Sequence, residues 1–192
     1  MSVMTVLGPV EPASLGITLT HEHLLSALDW PGLWPSVSPD VKRVHESIHM
    51  GNLGLLRRDP YTFRTNLLLD DPGLIARELS EFRQAGGGAI VECSSIGLRT
   101  HPAPLVEIAR ATGLHVICGC GWYVARSHPP DVAEATVAQL AERITRELEV
   151  GIDHTDIRAG IIGEIGVSDP MHPNEEKVLR AAATAQLRTG AG

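Results

Sequence analysis

Four short apolar runs, each too short for a helix, constrain this chain more than any other feature. They are 15–19, 88–93, 114–118 and 158–164. Runs of this length that stay apolar throughout are strands buried on both faces. Helical stretches follow them. Asp71 is an N-cap with Pro72 in the first turn and Gly86 at the far end, and Ile75, Leu79 and Phe82 mark a buried stripe. A second helix surrounds Leu105, Ile108 and Ala109 and closes at Gly113. A third carries Val137, Leu140, Ile144 and Leu148 and stops at Gly151. The last spans 173–188, with Val178, Leu179, Ala182 and Ala183 inside and Gly190 as its cap. Strand–helix alternation of this kind predicts an α/β fold with a parallel sheet. Between the first strand and the first of these helices, region 30–70 has no sustained periodicity and is expected to be a loop or insertion. Within it a short helix is expected before Pro60.

In a parallel α/β protein the chemistry gathers at the carboxyl ends of the strands. The first run ends on Thr20-His21-Glu22-His23-Leu24. Alternate strand residues share a face, so His21 and His23 project together while Glu22 points away. Two imidazoles from one rigid strand end are suitable anchors for a hydrolytic metal. The fourth run ends on Gly163-Glu164-Ile165-Gly166, which places a carboxylate on the same rim. Taken singly, each feature has a bland reading, a chance histidine pair and an exposed carboxylate in a turn. Glu92 also ends a strand, as a salt-bridge partner or as a group behind a metal ligand.

Charge and cysteine content narrow the class further. A net charge of -7 argues against nucleic acid as a partner. No run approaches the roughly 18 apolar residues of a membrane span, and the first residues lack the basic and apolar regions of a secretory signal. Cys93, Cys118 and Cys120 read as reduced core thiols of a cytoplasmic protein, and Cys118-Gly119-Cys120 is too closely spaced for a zinc ribbon. His45, His49, His101, His128, His154 and His172 read as solvated loop residues.

Segments 5–10, 16–24, 66–70, 119–123, 160–166 and 174–182, in this order along nearly the whole chain, resemble the phosphotriesterase family of the amidohydrolase superfamily. The resemblance implies a (β/α)8 TIM barrel with two divalent metals at the carboxyl rim. His21 and His23 would bind the more buried metal. A carboxylate from the fourth barrel strand bridges the two metals, and here it would be Glu164. Some members use a carboxylated lysine at this point, so Glu164 places the chain with the glutamate-bearing phosphotriesterase-homology branch. Zinc is the expected metal, with manganese, cobalt or iron as alternatives. Tyr123, and with it Trp122, falls where relatives carry an aromatic residue near the substrate pocket. A ring packed on the loop is the plainer reading.

In the family, two more histidines from strands five and six and an aspartate from strand eight complete the site. They have no counterpart among these 192 residues, whereas a TIM barrel typically needs about 250. The expectation is therefore a single partial barrel domain over 1–192, the N-terminal half, with four of eight βα units. Alone, such a half is expected to aggregate or stay partly ordered. A complementing half-barrel or a homo-oligomer would restore a closed sheet. Two functional readings stand. One is a hydrolase acting on an ester, lactone or phosphoester bond of a small-molecule substrate through a metal-activated water. The other is a non-catalytic remnant with at most a weak metal site. A compact four-stranded binding domain is a third and lesser reading.

Overall fold

A computed structural model describes residues 2–28, 30 and 45–192. The chain opens with an antiparallel hairpin, β1 (Val3–Thr5) and β2 (Gly8–Val10). Then come β3 (Ile17–Glu22) and β4 (Ser26–Ala27). The expected loop at 30–70 contains α1 (Leu53–Arg58) and β5 (Leu68–Leu69), which pairs with β4. Its portion 31–44 lies outside the described residues. The remainder alternates: α2 (Pro72–Gln84), β6 (Gly87–Glu92), α3 (Ala103–Thr112), β7 (His115–Cys120), α4 (Asp131–Glu134), α5 (Val137–Glu149), β8 (Ile161–Ile162) and α6 (Pro173–Thr189).

The main sheet runs β3-β6-β7-β8, with every pairing parallel. Neighbours in space are neighbours in chain order, which is the arrangement of successive strands around a barrel. One face packs under the helices. Ile90, Val116, Cys118 and Cys120 meet Ile108, Leu140, Ile144, Val178 and Ala181 there. On the other face Val91, Cys93 and Ile117 form a smaller cluster with Val3, Leu15 and Ile161. The β1–β2 hairpin closes this second cluster near the start of β7, anchored by Val6 N–H donating to Val116 O at 2.9 Å. Three-residue strands interrupted by Gly8 and Pro9 carry too little periodicity for sequence to reveal them.

The helix starts follow their capping chemistry. Asp71 accepts from Leu74 N–H at 2.9 Å, and Thr136 with Gln139 forms a reciprocal capping box on α5. Ile75, Leu79 and Phe82 are partly buried against the core. In α6 the inward stripe is Val178, Ala181, Ala182 and Ala185, whereas Leu179 and Ala183 face out. The fourth strand is also shorter than its apolar run. Ala159 N–H bonds back to Glu147 O of α5, and Glu164 N–H leaves β7 to reach Cys93 O at the end of β6. Only Ile161 and Ile162 remain in register with Gly119 and Cys120. The three cysteines are free and buried, as expected.

Candidate metal centre

β3 brings His21 to the carboxyl end of the sheet, and the chain just beyond it brings His23. The register with β6 is irregular between Leu19 and Glu22, the stretch that carries His21, and Cys93 N–H donates to Glu22 O at 2.8 Å, tying this end to β6. The two rings stand edge to face, with centroids 5.6 Å apart. Glu164 arrives from the far side of the sheet. Gly163 N–H donates to Cys120 O at 2.8 Å and Glu164 N–H to Cys93 O at 2.9 Å, so the ends of β7 and β6 both hold its backbone. This crossing requires glycine twice. Gly163 sits at φ 137°, and a Cβ on Gly119 would collide with the Gly163 carbonyl.

The result is one cluster. His21 Nε2 donates to Glu164 Oε2 at 2.9 Å, and His23 Nε2 stands 3.6 Å from Glu164 Oε1. The three donor atoms lie within 4.8 Å of one another. The second distance is too long for a hydrogen bond. Two imidazole nitrogens and a carboxylate oxygen converging at this spacing fit a divalent cation of the zinc type. The structure thus brings together the three residues singled out as ligands.

Behind His23 lies a buried chain of polar groups. His23 Nδ1 is 3.0 Å from Ser94 Oγ, and Ser94 Oγ–H makes a short hydrogen bond to Glu92 Oε1. Leu24 N–H donates to the same oxygen at 3.3 Å. Burial pushes the Glu92 carboxyl up to about 7, against the lowering effect of these hydrogen bonds. Burial likewise pushes the cysteines up, Cys93 to about 11, which leaves none of them a ready thiolate ligand.

Of the two aromatic residues, Trp122 is fully buried in the core with Arg143 stacked on its ring at 5.3 Å. Tyr123 is partly buried and lies against Trp30, ring centroids 5.9 Å apart. Burial first, then the nearby charge of Glu164, raises its phenol pKa.

A carboxylate that sequence reading passed over is Glu175. It is fully buried and accepts from Ala125 N–H, Ser168 N–H and His172 N–H at 2.8, 3.0 and 2.8 Å, and from the Ser168 hydroxyl at 2.8 Å. Burial pushes its pKa up, but these bonds outweigh it and hold the carboxyl at about 2. It thereby ties the segment after β7 to the segment after Glu164. The only sequence signal was its place at the third position of α6, where an acid closes a capping box.

A parallel sheet in barrel order, with helices outside and an imidazole–carboxylate cluster on its carboxyl rim, defines a TIM-barrel-type α/β protein with a candidate metal centre. The model of the phosphotriesterase family matches residues 1–192, and the chain belongs to that family. It is 41% identical over 189 residues to an N-acetyltaurine hydrolase of Danio rerio, covering 98% of this chain and 54% of that protein. The crystal structure of a resiniferatoxin-binding protein from Rhodobacter sphaeroides superposes with a TM-score of 0.89 at 39% identity, over 99% of this chain and 53% of that one. An Escherichia coli phosphotriesterase homology protein, solved with phosphate in its active site, gives a TM-score of 0.71 at 28% identity, over 93% and 51%. The chain thus spans about half the length of the relatives it matches.

Proposed function

We propose that this chain carries the first half of the active site of a metal-dependent hydrolase. The observation that supports this reading best is the convergence of His21, His23 and Glu164, from opposite sides of the sheet, on one point of the rim. His21 and His23 would hold the cation through Nε2 together with the Glu164 carboxylate. A divalent cation, when bound, supplies Lewis acidity and lowers the pKa of a coordinated water. To receive it through Nε2, the neutral His21 ring would carry its proton on Nδ1 and not toward Glu164. Tyr123, whose phenol feels the charge of Glu164, would orient a small substrate, with Trp30 packed against it. Zinc is the first metal to test, then manganese, cobalt and iron.

The relatives' names direct the choice of substrate. N-acetyltaurine is the first compound to assay, and lactones, carboxylic esters and phosphoesters form the second panel. The second half of the barrel would complete the site, whether it comes from the same polypeptide, from a complementing half-barrel or from a second copy of this chain. The assay compares the chain alone with the chain mixed with the remaining half of the Rhodobacter sphaeroides protein, each loaded with zinc. Hydrolysis in the mixture that disappears with His21→Asn supports the reading. A well-folded, zinc-loaded mixture inert on the whole panel would favour the remnant, which keeps ligands without turnover.

A further inference from the structure

The structure assigns Glu92 and Ser94 as positioning residues that set the proton arrangement of His23 from behind. The inference rests on the metal-site reading above, but its own observation is the buried chain of hydrogen bonds. Ser94 is fully buried and Glu92 is 1% exposed, so neither group can satisfy itself with bulk water. Ser94 has one hydroxyl proton to give. An ionised carboxylate only accepts, so that proton lies toward Glu92 Oε1, which also takes the Leu24 N–H. The lone pairs of Ser94 Oγ then face His23 Nδ1 at 3.0 Å, and only a donor is satisfied there. Whenever Glu92 is ionised, His23 is therefore the Nδ1–H tautomer, with a bare Nε2. That bare nitrogen is the atom 3.6 Å from Glu164 Oε1, where an intervening cation would join them.

The chain of contacts also explains why the end of β6 carries an acid that faces the helices. Glu92 and Ser94 follow one another on alternate positions of one segment, and Leu24 follows His23 on the other. The same carboxylate oxygen thus grips the backbone after His23 and, through Ser94, its ring. Both the position and the tautomer of the ligand are fixed by one buried group. Partners of this kind, removed, typically weaken metal affinity 10–100-fold.

The test reads the tautomer directly, in metal-free protein, by two-bond proton–nitrogen correlation of the 15N-labelled histidine rings. The buffer is mildly alkaline, so that Glu92 carries its charge, and His23→Asn assigns the ring. The expected result is a His23 proton on Nδ1 in the wild-type chain. Ser94→Ala shifts the ring toward the Nε2–H form that an unconstrained histidine side chain prefers, Glu92→Gln loosens the preference, and both weaken zinc binding about 10–100-fold. Nε2–H in the wild-type chain, or a tautomer indifferent to Ser94→Ala, overturns the inference. The wild-type spectrum decides even where a variant fails to fold. If the tautomer behaves as described but zinc does not bind, the metal reading fails while the assignment of Glu92 and Ser94 stands.

Discussion

At the scale of single residues, two buried carboxylates, Glu92 behind the candidate centre and Glu175 at the start of α6, have opposite electrostatics. Glu92 is held up at about 7 by burial, whereas Glu175 is held down at about 2 by the four donors around it. For Glu92 the folded state binds the proton more tightly than the unfolded chain. Stability is therefore greatest at low pH with respect to this group, and declines as pH rises from about 4.5 to about 7. The decline attributable to Glu92 is on the order of 3 kcal/mol. Urea denaturation of wild type and Glu92→Gln across this range checks it, because the variant is expected to lose that slope. Parallel slopes in the two proteins would contradict it. Glu175 works in the other direction: its contribution is complete above about 4.5 and is lost as pH falls toward about 2. Glu175→Gln is therefore expected to flatten the acid limb of the same curve.

At the scale of elements, the sheet and its helices are joined by a buried ion pair that does not belong to the rim. Arg99, in the loop after β6, reaches Glu147 of α5 through two bonds of 3.0 and 3.1 Å, with Asp153 at 3.3 Å. Both side chains are about 95% buried, with exposures of 4% and 5%. Removing one partner strands the other charge, so Arg99→Ala is expected to cost on the order of 3–5 kcal/mol, read as a lower denaturation midpoint. A change within experimental scatter would mean that Glu147 finds another partner, Arg143 being nearest at 3.8 Å. Sequence made the strand–helix alternation legible because each strand is short and apolar and each long helix carries a cap or a stop. It also placed His21, His23 and Glu164 at strand ends, where an alternating side-chain pattern has meaning. Glu92 was legible as a group behind a metal ligand, but its link to His23 through Ser94 and the Glu175 tie to Ala125 were hidden, since both depend on contacts between residues far apart in sequence. Trp122 and Tyr123 show the same limit. They are adjacent in the chain, yet one is buried in the core and the other lies beside Trp30.

At the scale of the whole molecule, the sheet has two terminal strands, β3 and β8. Ile17 and Leu19, which share the alternation of His21 on β3, are exposed at 63% and 36%. Apolar side chains on a terminal strand are an invitation to further pairing. The chain at micromolar concentration is therefore expected to sediment as a species heavier than one chain, and Ile17→Lys to shift it toward the monomer. A wild-type monomer with a sharp thermal transition would contradict this. The central claim, that His21, His23 and Glu164 form a cation site, is tested most directly by metal content per chain. It is measured by elemental analysis of the folded species from size-exclusion chromatography, beside Glu164→Gln. At least one equivalent of a divalent metal per chain is expected, approaching two where the second half of the barrel completes the site, with loss of the metal in the variant. A folded wild-type protein without stoichiometric metal, or a variant that keeps it, would contradict the account.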